Sequence, residues 1–141
     1  MTFCQMLPKL PIEDGRARLT LTADWAQGRA TFGGLSAAAV LRVMRSRVEP
    51  ERTCRSLLVS FAGPVAPGEA DITTAVVRRG RSATFTEGRV LQAGEPRCLV
   101  LASFGGDRES AVTVNGELSE NRPASMMPRP DQPRKSVGSP R

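Results

Sequence analysis

Residues 24–48, DWAQGRATFGGLSAAAVLRVMRSRV, decide the fold of this chain. The stretch begins at the single tryptophan of the sequence, passes two adjacent glycines, and continues as an apolar run of about four helical turns. No charged residue occurs from 35 to 41, so the first half of the predicted helix is apolar on all sides. We therefore expect the rest of the chain to wrap around this helix.

The two glycines before the helix, Gly33 and Gly34, allow two interpretations. Without side chains, they leave the amides of the first helical turn open to a carbonyl oxygen or a phosphate. Alternatively, they only permit a tight turn into a buried helix. The sequence leaves both interpretations open.

The composition excludes several kinds of site. The chain has 141 residues, which fits one domain, and it has no histidine. The absence of histidine excludes Ser-His-Asp and Cys-His nucleophile pairs and most zinc sites. The three cysteines, at positions 4, 54 and 98, are too far apart for a paired metal-ligand motif and odd in number for a disulfide framework. The sequence predicts no metal and no cofactor.

Charge and segment patterns bear on location and partners. No run approaches the roughly 20 apolar residues of a membrane span. Residues 1–15 lack the pattern of a secretory signal, so we expect a cytoplasmic protein. The net charge is +6, but the basic residues are spread out and the chain has no tyrosine. A nucleic-acid-binding module is therefore only a distant alternative.

The remainder of the chain predicts strands. Residues 16–23 alternate polar and apolar side chains, as in a half-buried strand. After the helix, strand-like segments at 54–62, 70–78, 83–92 and 97–104 are separated by short turns, which predicts an antiparallel meander. Residues 1–15 are expected to be an irregular lead-in, 16–110 the folded domain, and 111–141 a linker or disordered tail.

Several motifs in this order resemble a known family. They are Trp25-x2-Gly28-x4-Gly33-Gly34, a helix ending in Arg42-x2-Arg45, Phe61-Ala62-Gly63-Pro64-Val65, Arg78-Arg79-Gly80-Arg81-Ser82 and Ala102-Ser103-Phe104-Gly105. Over about residues 15–110 the chain resembles the N-terminal hotdog domain of the acyl-CoA thioesterase II (thioesterase-like) family. The resemblance implies an α+β hotdog fold, in which an antiparallel β-sheet wraps around one long buried helix.

The resemblance also implies a function. It points to hydrolysis or binding of a fatty or short-chain acyl-CoA thioester. Members of the family usually carry two hotdog domains, and the second supplies most of the catalytic Asp, Thr and Gln cluster, so none of those residues can be assigned here. The alternative is a non-catalytic acyl-CoA-binding or scaffold half, and whether the chain is an enzyme stays open. Hotdog hydratases generally rely on histidine and are set aside.

Candidate residues for thioester chemistry lie near the start of the helix. The amides of Gly33, Gly34 and Leu35 are candidate donors to a developing oxyanion. Asp24 is a carboxylate placed to face that site and is a candidate catalytic base, although an acid at the end of a strand is more often a turn or cap residue. Trp25 and Phe32 either wall an acyl channel or cap the core.

Two further expectations concern coenzyme A and assembly. Arg78 and Arg81 are candidate ligands for its phosphates, because arginine suits bidentate phosphate contacts; a solvated hairpin tip is the alternative. A lone hotdog leaves one sheet face or edge exposed, so we expect a homodimer or pairing with a second hotdog, with the two sheets joined edge to edge.

Overall fold

The computed structural model describes residues 7–109, and one unit of the chain ends at Arg108. The first six residues of the predicted lead-in and the predicted tail at 111–141 lie outside the described residues. The domain bounds that we expect from the sequence therefore stay a prediction.

One α-helix and eight strands occur within residues 7–109. The helix is α1 (Gly33–Arg45). The strands, in chain order, are β1 (Ile12–Glu13), β2 (Arg16–Leu21), β3 (Ala26–Gln27), β4 (Ala30–Thr31), β5 (Thr53–Phe61), β6 (Gly68–Arg79), β7 (Ala83–Gln92) and β8 (Glu95–Gly105). Two single-turn 3₁₀ helices, Leu7–Lys9 and Ala23–Trp25, complete the set.

Six strands form one antiparallel sheet in the order β1-β2-β6-β7-β8-β5, and β3 and β4 pair separately. The pairing of β6 with β7 and of β7 with β8 confirms the predicted meander. At the β7–β8 turn, Ala93 and Gly94 both have positive φ, 54° and 79°, which matches the twist of a tight hairpin. Strand β5 lies at one edge of this sheet.

The helix lies across one face of the sheet, called the inner face here, and packs against β6, β7 and β8. Alternate residues of these strands are buried against it, because successive side chains of a strand point to opposite faces. Gly88, in the middle of β7, permits the closest approach: a methyl group there would overlap Val40 and lie 2.9 Å from Met44 Cε. The predicted α+β arrangement, one helix wrapped by an antiparallel sheet, is confirmed.

Two local differences from the sequence prediction have simple causes. The helix ends at Arg45, before the predicted Val48, because the amides of Ser46 and Arg47 donate to carbonyls three residues back and tighten the chain into a turn. Residues 7–15, predicted as irregular, add β1 and bury Leu7 and Leu10 in the core. Apolar burial therefore orders part of the lead-in.

Candidate functional site

The start of α1 is held by backbone bonds to the segments around it. The amide of Thr31 donates to the Val65 carbonyl at 2.7 Å, and the amide of Phe32 donates to the Trp25 carbonyl at 2.9 Å. These bonds fix the direction in which the chain enters the helix. The first turn is consequently presented in one orientation beside the end of β5.

Two phenyl rings cover the glycines of this first turn. A methyl group on Gly33 would lie 2.7 Å from Cζ of Phe61, and one on Gly34 would lie 2.5 Å from Cε1 of Phe32. Contacts this short require a neighbour to move, so both glycines have a packing role. Phe32 is nevertheless 46% exposed and Phe61 58% exposed. The rings thus form an apolar surface beside the helix start that is open to solvent.

The backbone donors at the helix start are not equivalent. The Leu35 amide donates to the Phe32 carbonyl at 3.0 Å, and the Leu35 side chain is fully buried. Among the residues that the structure describes, the amides of Gly33 and Gly34 have no backbone acceptor. The first amides of a helix carry the positive end of its dipole. Of the three predicted donors, Gly33 and Gly34 are therefore the two that can meet a ligand oxygen.

Two buried hydroxyls flank the same turn. Thr31, just before the helix, and Ser36, in its first turn, have side-chain oxygens that find no hydrogen-bond partner among residues 7–109. A buried hydroxyl without a partner costs free energy. The helix start therefore has spare hydrogen-bonding capacity. From the sequence, Ser36 is expected only to pack in the core, and nothing in the local pattern marks Thr31.

Asp24 and Trp25 lie in the 3₁₀ turn that leads towards α1. Trp25 is partly buried and packs against the core, while Asp24 is exposed. A hydrogen bond from the Thr22 hydroxyl lowers the pKa of the Asp24 carboxyl below its usual value. A catalytic base works best with a pKa near the operating pH, so this carboxylate is a weak base. The catalytic role of Asp24 stays a prediction.

Strand β5 borders the site and is not covered by the helix. Leu57, Val59 and Phe61 pair with the inner-face residues of β8 and so point to the inner face. Leu57 and Phe61 are nevertheless exposed, because α1 packs against β6, β7 and β8 instead. In the described sheet, β5 thus combines an edge position with uncovered apolar side chains. Phe61 was missed as a site residue, although alternation along β5 places it with Leu57.

Arg78 and Arg81 lie at the opposite end of the sheet. The register pairs Arg78 with Phe85 near the β6–β7 turn, whereas Phe61 and the helix start lie at the other end of the strands. The helix alone is roughly 20 Å long. Both arginines are exposed, and the described structure brings neither of them to the glycines. Their predicted phosphate contacts stay a prediction.

A polar network closes the sheet end where these arginines lie. Arg52 donates to the Thr84 hydroxyl at 2.7 Å and to the carbonyls of Gly80 and Arg81 at 3.0 and 3.1 Å. Glu49 accepts from Thr84 at 3.1 Å and pairs with Arg79 at 3.1 Å. We call this the closed end and the helix start the open end. At the closed end, the polar side chains are therefore hydrogen-bonded to one another and to the β6–β7 turn.

Some kinds of site find no support among the described residues. Residues 7–109 contain no cluster of three or more Cys, Asp or Glu side chains that could hold a metal ion. Within the same range no helix is both long and apolar enough to cross a membrane. Cys54 and Cys98 are both free thiols.

Solved structures with the same fold resemble this chain. A protein of unknown function with a hot dog fold from Alicyclobacillus acidocaldarius is 25% identical, with a TM-score of 0.70, over 96% of this chain and 51% of its own. An acyl-CoA thioesterase II, TesB2, from Mycobacterium marinum is 21% identical, with a TM-score of 0.67, over 81% of this chain and 43% of its own. The chain thus spans about half the length of these relatives.

A third structure, the BH2602 protein from Bacillus halodurans with CoA, is 18% identical, with a TM-score of 0.59, over 74% of this chain and 76% of its own. A search of curated proteins finds no match. A family model described as the acyl-CoA thioesterase N-terminal domain matches residues 21–105, which include the open end, the four strands β5 to β8 and only the last residue of β2. The chain therefore belongs to the acyl-CoA thioesterase N-terminal domain family.

Proposed function

We propose that this chain is the acyl-CoA-binding half of a thioesterase, and that a fatty or short-chain acyl-CoA is its ligand. One observation carries the proposal: the amides of Gly33 and Gly34 open beside the half-exposed rings of Phe32 and Phe61. Donors of this kind suit the thioester carbonyl, and the rings suit the start of an acyl chain. The CoA named with the Bacillus halodurans structure supports the same class of ligand.

Hydrolysis needs more than these donors. A water molecule must lose a proton as it attacks the carbonyl carbon, and the negative charge that develops on the carbonyl oxygen must be stabilised. The glycine amides can do the second task. Asp24 is exposed and has a lowered pKa, so it is poorly suited to the first. We therefore assign the stronger base to a second hotdog rather than to this chain.

The second hotdog would pair along β5. This strand is an edge of the described sheet, and its inner-face side chains Leu57 and Phe61 are exposed, with Phe61 beside the helix start. A partner sheet added at this edge would continue the hydrogen-bonded ladder and cover both side chains. A second copy of this chain can also pair along β5, but it brings no base that this chain lacks, so hydrolysis needs a separate hotdog as the partner. We propose that the pair acts in the cytoplasm on lipid metabolites.

The first experiment measures release of free coenzyme A from short, medium and long acyl-CoAs with a thiol-reactive dye. Asp24→Asn is compared with Asp14→Asn, which makes the same change at an exposed aspartate that pairs with Arg47. Because the Asp24 carboxylate is a weak base, we expect little turnover by the purified chain and no effect of either variant. Turnover that only Asp24→Asn abolishes would make Asp24 the catalyst and refute the assignment of the base to a partner.

The second experiment measures binding directly. Trp25 is the sole tryptophan and its carbonyl is bonded to Phe32, so its fluorescence reports on the open end. We expect a non-hydrolysable acyl-CoA thioether to change this fluorescence, and Phe61→Ala to weaken binding about tenfold. The matched control is Phe85→Ala, which truncates the same residue type on the other face of the sheet. The absence of a response at any acyl length would leave only a scaffold role.

A further inference from the structure

The face of the sheet turned away from the helix, the outer face, is divided into two unlike halves. Towards β2, β6 and the end of β7 it carries ion pairs: Arg18 bonds Asp71 at 2.9 Å, and Arg89 lies 3.6 Å from Glu87. Such paired charges are typical of a sheet surface that faces water. This half needs no covering.

The other half, towards β5, β8 and the β6–β7 turn, is apolar. Five large side chains point outward there and are between 38% and 64% exposed. We call them the outer patch; they are Leu58, Val77, Phe85, Leu99 and Leu101. Ser56 and Ser103 lie among them and are bonded to each other at 2.5 Å. These two serines and every residue of the outer patch except Leu99 line an open groove of about 500 Å³. Within residues 7–109, Arg78 is the one charged residue that lines this groove, and it lies at the margin.

The strand sequences agree with a covered outer face. Strand β5 contains Leu57, Leu58 and Val59 in succession, and β8 runs from Cys98 to Ala102 without a polar residue. A strand that alternates apolar and polar residues has one face in contact with solvent. A continuous apolar run is instead typical of a strand that is buried on both faces. The helix covers the apolar residues of the inner face only, so the apolar residues of the outer face have no covering among the described residues.

We propose that the outer patch packs against the outer patch of a second copy of this chain, sheet on sheet. Five half-exposed apolar side chains present roughly 400–500 Å² of apolar surface, at the upper end of what isolated proteins expose. The serines and Arg78 around them bring the contact towards the 800 Å² or so that each partner buries in a stable dimer. The occupant is therefore of the size of a protein, not of a small ligand.

The shape and charge of the surroundings favour a second sheet over a lipid surface. The patch lies in the middle of strands, where the surface is broad, and not on a projecting loop or amphipathic helix that could enter a bilayer. Around the patch, Arg78 lies at its margin and the pair Glu87 and Arg89 lies beside it, so both signs of charge are present. An anionic membrane instead attracts a cluster of basic residues alone. The small Ser56 and Ser103 beside large leucines give a second sheet gaps into which its own side chains fit.

The test is the molar mass of the full chain, measured by light scattering at tens of micromolar. Leu101→Lys places a charge at the centre of the outer patch, and Phe85→Lys repeats the test at a second position. Thr20→Lys is the matched control, because Thr20 is exposed on the outer face of β2 in the charged half. We expect both patch variants to halve the mass of the wild type and Thr20→Lys to leave it unchanged, with all circular dichroism spectra alike.

The test separates this contact from the β5 pairing proposed above. Leu57→Lys places a charge on the inner face of β5, so it should reduce only the pairing along the β5 edge. A wild-type mass that Leu57→Lys halves and neither patch variant changes would overturn the outer contact while leaving the proposed function intact. A monomeric wild type, or binding to phosphatidylserine vesicles that Leu101→Lys abolishes without a change in mass, would overturn it as well.

Discussion

The two ends of the sheet differ in how they are held together. At the closed end, Arg52, Glu49 and Thr84 satisfy one another and the β6–β7 turn through hydrogen bonds of 2.7 to 3.1 Å. At the open end, the amides of Gly33 and Gly34 lack backbone acceptors among the described residues, and apolar rings face solvent. The closed end has its polar groups paired internally, whereas the open end keeps the backbone donors that the proposed ligand needs.

The largest effect is expected from breaking the closed end. Arg52 is 13% exposed and makes three hydrogen bonds at 2.7 to 3.1 Å. Arg52→Met keeps the apolar stem but leaves two carbonyls, a hydroxyl and a carboxylate without this partner, and should lower the free energy of unfolding by about 3 kcal/mol. The free energies of unfolding of the wild type and the variant are measured by urea denaturation.

The control for Arg52 is its neighbour in space, Arg81. The side chain of Arg81 is exposed, and only its backbone carbonyl takes part in the network. Arg81→Met should therefore change the free energy of unfolding by less than about 0.5 kcal/mol. Equal losses for the two variants would show that the network does not hold the closed end. Acyl-CoA binding, measured with Trp25 fluorescence, should survive in the folded fraction of both variants.

A smaller effect, on affinity, is expected at the open end. In Gly33→Ala the new methyl must displace the tip of the half-exposed Phe61 ring, while alanine favours the helix, so stability should change by no more than about 1 kcal/mol. The displaced ring and the covered amide should weaken binding of an acyl-CoA thioether about tenfold. Gly106→Ala is the control, since a methyl there meets nothing within 4 Å. Equal affinity in both variants would argue against the open end as the binding site.

The smallest effect concerns pH. The backbone amide of Glu49 lowers the pKa of its carboxyl, with help from Thr84, Arg52 and Arg79. A folded-state pKa below the ordinary value of about 4.3 means that the carboxylate stabilises the fold above that pH, and that the stabilisation is lost as the pH falls through the folded-state pKa. The melting temperature of Glu49→Gln should therefore lie below that of the wild type at pH 7 and approach it below about pH 4.

The exposed neighbour Glu51 provides the control for this pH series. Glu51→Gln should follow the wild type at every pH. A gap between the wild type and Glu49→Gln that stays constant from pH 7 to pH 3 would mean that the carboxylate charge of Glu49 is not what the network uses.

The sequence allowed the helix and the meander to be predicted because both depend on local patterns. The run from Leu35 marks a buried helix, and short turns between apolar segments mark paired strands, so four long strands lie within two residues of their predicted bounds. The role of Gly88 could not be predicted. It depends on which helix residues cross β7, and no local pattern contains that information.

The candidate site could be predicted only in part, for a similar reason. Gly33 and Gly34 are neighbours in sequence and stay neighbours in space, and both lie in the first turn of the helix, as the sequence predicts. Their role in a site stays a prediction. Phe61 reaches Gly33 only because β5 is paired at the far side of β8. Arg78 and Arg81 resemble a phosphate-binding cluster in the sequence. The strand register, however, places them at the end of the sheet opposite to the helix start.

The order of the strands has a consequence for how the chain folds. Strands β6, β7 and β8 are joined by turns of a few residues, so their pairing closes short loops and can form early. Strand β5 precedes them in sequence yet pairs with β8, the last strand: the pair Phe61 and Cys98 is 37 residues apart, and the pair Thr53 and Gly105 is 52 residues apart. Until β5 docks, the ladder of β8 is open. During that interval a β5 strand from a neighbouring molecule can dock in its place, so the chain is exposed to strand exchange while it folds.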